Sequence, residues 1–74
     1  MKGDIEQPKF PKFMAYLAEK GMDVKVLTMM LNNKGYDYKY MTVLRKLKGE
    51  TKLYWEDIVA FADASGASES IFFD

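Results

Sequence analysis

The chain contains no cysteine and no histidine. The first absence excludes disulfides, thiolate metal sites and a cysteine nucleophile. The second removes the commonest metal ligand and the commonest general base. There is no net charge, so nothing in the total draws the molecule to a polyanion. No apolar run is as long as a membrane-spanning helix, and Met1–Glu6 does not read as a signal peptide. A soluble, cytoplasmic protein without membrane contact is the expectation. Catalysis would have to rest on carboxylates, lysine or tyrosine. Glu56 and Asp57 are neighbours on an expected helix and diverge by about a third of a turn, poor geometry for an acid–base pair. No enzyme activity, cofactor, metal or small-molecule ligand is expected.

What is present points to one small folded domain. The chain has 74 residues, 49% of them hydrophobic and 15% aromatic, which suits a single core and argues against disorder. The charge is unevenly placed. Residues 34–53 carry Lys34, Lys39, Arg45, Lys46, Lys48 and Lys52 against Asp37 and Glu50, a net of +4. Residues 54–74 carry Glu56, Asp57, Asp63, Glu69 and Asp74 and no basic group, a net of −5. A molecule so polarised can present one face to a polyanion. Opposite charges pairing between helices are the alternative.

Residues 1–9 read as a polar, flexible arm, and residues 10–74 as the domain. Pro11 suits the first position of a helix ending near Lys20, with Phe10, Phe13, Met14 and Leu17 as its apolar stripe and Gly21 as its stop. Asp23 should cap a second helix through Leu31, with Val24, Leu27 and Leu31 inward and Met29 and Met30 as core filler. Residues 32–36 (Asn-Asn-Lys-Gly-Tyr) form a turn. Asp37–Gly49 then reads as a third helix capped by Asp37 and stopped by Gly49. Its apolar face is Tyr40, Val43, Leu44 and Leu47. Lys39, Thr42, Arg45, Lys46 and Lys48 fall on its other faces. The alternation of Tyr36, Tyr38 and Tyr40 is a competing strand signal, so an extended start to this segment stays open. Leu53–Ser65 reads as a fourth helix with Trp55, Ile58, Val59, Phe61 and Ala62 on its apolar side, ended by Gly66. Ser68 caps a last turn, and Ile71, Phe72 and Phe73 either close the core or meet a second copy. The fold class expected is all-α, a compact bundle of four to five short helices.

This order of parts resembles the lambda-repressor-like helix-turn-helix domain, the Cro and XRE type of phage and bacterial regulator. Residues 49–52 (Gly-Glu-Thr-Lys) are similar to the family's loop after the recognition helix. Residues 55–68 (Trp-Glu-Asp-Ile-Val-Ala-Phe-Ala-Asp-Ala-Ser-Gly-Ala-Ser) are similar to its fourth helix. The turn at 32–37 is longer than the family's. Where the family often places glutamine, this chain has Val24-Lys25 and Tyr38-Lys39.

The resemblance implies a sequence-specific, duplex-DNA-binding transcriptional regulator with its third helix in the major groove. Lys39, Thr42 and Lys46 are then expected toward the groove, with Tyr38 near its start. Arg45, Lys48, Lys34 and Lys52 are expected on phosphates, with Asn32 and Asn33 at the turn and the Tyr36 and Tyr38 hydroxyls as further phosphate donors. Pairing of two copies through Ile71, Phe72 and Phe73 would add affinity. The rival expectation is a protein-interaction module that keeps the helix-turn-helix scaffold with DNA binding lost or altered.

Overall fold

The computed structural model describes residues 9–73. Four α-helices follow in order: α1 (Pro11–Glu19), α2 (Val24–Asn33), α3 (Tyr40–Lys48) and α4 (Trp55–Ser65). A 3-10 turn, Glu69–Phe72, closes the chain. There is no strand among the described residues, so the fold is a small all-α bundle. None of its helices is long and apolar enough to cross a membrane. Residues 1–8 of the expected arm lie outside the described residues.

The helix ends follow local chemistry. Pro11 stands at the start of α1, where its missing N–H costs nothing. The Asp23 carboxylate accepts from the Val26 N–H at 2.8 Å and caps α2. Gly49 closes α3 at φ +82°, a conformation that strains any residue with a Cβ. It also sits under the Lys9 stem, since a Cβ there would lie 3.1 Å from the Lys9 Cδ.

The core draws one stripe from each helix. Phe13, Leu17, Leu27, Leu31, Val43 and Phe61 are its fully buried large side chains. Leu47, Ile58, Ala60 and Ala64 complete it. The 3-10 turn adds Phe72, whose ring lies 4.5 Å from that of Phe13 and 5.4 Å edge-on from Phe10. The two ends of the described chain are thereby packed together. Tyr16 secures the end of α4 by donating to the Ser65 carbonyl at 3.0 Å.

Three expectations are corrected here. First, α3 begins at Tyr40 and not at Asp37, and the cap position is taken by Lys39 with no side-chain cap. The reason is tertiary. The Tyr38 ring packs edge-on against Phe61 at 5.4 Å. The Asn32 amide brackets the Tyr38 backbone, donating to its carbonyl at 3.0 Å and accepting from its N–H at 3.4 Å. These contacts hold residues 36–39 outside the helix, with Lys39 extended at its start.

Second, Tyr40 is 45% exposed and Trp55 58% exposed. Each occupies the first turn of its helix and projects past the end of the core that its stripe covers further on. Third, Met29 is exposed while Met30 is half-buried, so only one of the pair fills the core. Ile71, Phe72 and Phe73, expected either to close the core or to meet a second copy, separate. Phe72 is buried, Ile71 is half-buried, and Phe73 alone stands out, stacked on Trp55 with ring centroids 6.2 Å apart.

Candidate nucleic-acid interface

The position of α3 follows from its inner face. Val43 and Leu47 are buried four residues apart, and Leu44 is half-buried beside them. At about 100° per residue, this places Arg45 opposite the core, with Thr42 and Met41 to either side of it and Lys48 at the edge. All four are exposed. Lys39 is exposed at the N-terminal end, and Lys52 in the loop that follows Gly49. No acidic residue occurs in α3.

The eight residues expected to meet DNA therefore divide. Lys39, Thr42, Arg45 and Lys48 share the exposed surface of α3 or its start. Lys52 stands exposed nearby, its ammonium 5.6 Å from the centre of the Tyr54 ring. Lys46, expected toward the groove, turns the other way. Its side chain is only 13% exposed, and its ammonium donates to Asp57 at 3.0 Å and to the Lys52 carbonyl at 2.9 Å. Tyr38, expected near the groove, donates its hydroxyl to the same Asp57. Lys34 is exposed but paired with Asp63 at 3.2 Å. Tyr36 donates to that carboxylate at 3.0 Å. At the turn, the Asn32 amide is spent on the Tyr38 backbone and the Thr28 carbonyl, the latter at 3.0 Å.

Asp57 is the hub of this arrangement. It lies at the third position of α4 and is 5% exposed. Beyond Tyr38 and Lys46, it accepts from the Tyr54 N–H at 2.9 Å, closing the first turn of α4. Burial works to raise its pKa. The hydrogen bonds from Tyr38, Tyr54 and Lys46 outweigh burial and hold the carboxyl below the usual carboxylate range. The Tyr38 hydroxyl is pushed well above an ordinary tyrosine, first by burial and then by its bond to Asp57. At the second cluster, the Tyr36 and Lys34 hydrogen bonds lower the Asp63 carboxyl. The bond to Asp63 correspondingly raises the Tyr36 hydroxyl.

The electrostatic outcome is a sorting of the basic groups. Two of the six in residues 34–53 are matched by carboxylates of α4. Among the described residues, Lys39, Arg45, Lys48 and Lys52 enter no ion pair. Lys34 and Lys46 pair with α4, and Lys39, Arg45, Lys48 and Lys52 leave a cationic face along α3 and its flanks. Sequence reasoning missed two residues. Met41 sits on the exposed face one turn before Arg45, and helical spacing alone could have found it. Asp57 enters the sequence reading only as a helix neighbour of Glu56, and no local pattern shows that it collects two distant side chains. No protein-family model, curated protein or solved structure matches this chain.

Proposed function

We propose that this chain binds duplex DNA through the outer face of α3, as a transcriptional regulator of the Cro and XRE helix-turn-helix type. One observation supports this above the others. The exposed side of α3 offers Thr42, Arg45 and Lys48, with Lys39 at its start and no carboxylate among them. An α-helix about 10–12 Å across enters a major groove about 12 Å wide. Arg45, opposite the core, is the residue for a guanine edge, and Thr42 for a neighbouring base. Lys39, Lys48 and Lys52 are assigned to phosphates. Lys34 can join them at little cost, because its pair with Asp63 is solvent-exposed. Lys46 and Tyr38 are assigned to holding α3 against α4.

A domain of this size makes few base contacts, so two copies on half-sites about 34 Å apart are the expected working form. The contact between copies is assigned to Phe73 and Trp55, since Phe72 is committed to the core. The same exposed aromatic pair favours a second reading, a protein-interaction module built on this scaffold.

Salt dependence separates the two. Titration with a mixed-sequence 20-base-pair duplex should give a slope of log affinity against log salt of about −3 to −4, from roughly four neutralised phosphates. Arg45→Ala with Lys48→Ala should remove most of that affinity and leave the fold intact. Absent or salt-insensitive binding would end the DNA reading and favour the second.

A further inference from the structure

We infer that Met41 reads the methyl group of a thymine in the DNA site. The inference rests on the DNA reading above and adds a base to it. Met41 is 48% exposed. It is the apolar member of a face otherwise made of Thr42, Arg45 and Lys48. Its neighbours three, four and seven residues on are half-buried Leu44, Arg45 and Lys48. An apolar tip hemmed by cations is a poor anchor for a protein partner, which needs a contiguous apolar patch. It complements the major groove, whose floor is polar except for the thymine methyl and whose walls are anionic.

Register makes the inference more specific. Met41 and Arg45 are four residues apart, about 6 Å along the helix axis. Base pairs rise about 3.4 Å per step, so two groove-floor contacts made by one helix lie within roughly two steps of each other. If Arg45 takes a guanine, the thymine read by Met41 falls one or two base pairs away. The flexible thioether stem can settle on a methyl group at either distance.

The test replaces thymine by deoxyuridine, which deletes the methyl group and keeps every hydrogen bond. The full chain is first used to enrich binders from a randomised duplex library. The enriched duplex is then remade with each thymine in turn replaced. Wild type should lose about fourfold in affinity at one position, the worth of burying one methyl group. Met41→Ala should bind the two forms of that position equally, with an unchanged circular dichroism spectrum. Met41→Leu should restore the discrimination.

Equal binding of wild type to the thymine and deoxyuridine forms at every position, with steep salt dependence retained, overturns the inference and leaves DNA binding standing. Discrimination that survives in Met41→Ala overturns it too, by assigning the methyl contact to another side chain. A library that yields no enriched sequence, with no salt-dependent affinity for any duplex, removes the DNA reading and this inference with it.

Discussion

Replacing Asp57 by Asn tests whether α3 is held by the carboxylate hub. The substitution keeps the volume and removes the charge. In the native chain the carboxylate accepts from the Tyr38 hydroxyl, the Lys46 ammonium and the Tyr54 N–H, with its side chain only 8% exposed. An amide has one accepting oxygen, and its NH2 group opposes at least one of those donors. The loss of a charge-assisted bond is worth about 1.5–3 kcal/mol. A fully buried ion pair broken on one side costs about 3–5 kcal/mol. Lys46 can lift its ammonium into water on a flexible stem, so the lower range applies, about 2–3 kcal/mol. A domain of this length has roughly 4–11 kcal/mol in total.

Urea unfolding followed by far-ultraviolet circular dichroism would read the change as a fall in midpoint of about 2 M, with m near 1 kcal/mol/M. A double-mutant cycle with Lys46→Met should give a coupling of at least about 1 kcal/mol. The pH dependence carries the same logic. Because the Asp57 carboxyl titrates below its unfolded value, its contribution is present above about pH 4 and fades as pH falls through the lower folded pKa. Wild type and variant should therefore converge in acid. A loss below about 0.5 kcal/mol at pH 7, or a gap that stays constant into acid, would refute the hub.

Three further outcomes are expected. Trp55→Ala should cost less than about 1 kcal/mol in a thermal melt, because the ring is 58% exposed; a loss of several kcal/mol would mean that its stack with Phe73 supports the core. Gly49→Ala should destabilise by about 1 kcal/mol through its positive φ and its contact with Lys9, measured by the same melt, and a neutral result would put the strain argument aside. Lys46→Met should lower stability while barely changing duplex affinity, whereas Arg45→Ala should do the reverse; an equal drop in affinity for both would return Lys46 to the groove.

The parts list is legible in the residues alone. Four helices, the Asp23 cap, the Pro11 start and the Gly49 and Gly66 stops are written in residues that act on their own neighbours, within one turn of the chain. The inward stripes Phe13–Leu17, Leu27–Leu31 and Val43–Leu47 follow from spacing alone. Tertiary structure decided what depends on partners far along the chain. Tyr38 lies 19 residues from Asp57, and Lys46 lies 11 from it. Their meeting unwinds the start of α3 and takes Lys46 off the exposed face. Trp55 and Phe72 show the same division. Both are apolar and at helical spacing, yet the end of the packed core leaves one in solvent and covers the other. Periodicity fixes the side of a helix a residue is on. Only packing fixes where along that helix the core stops, and which buried carboxylate draws a lysine inward.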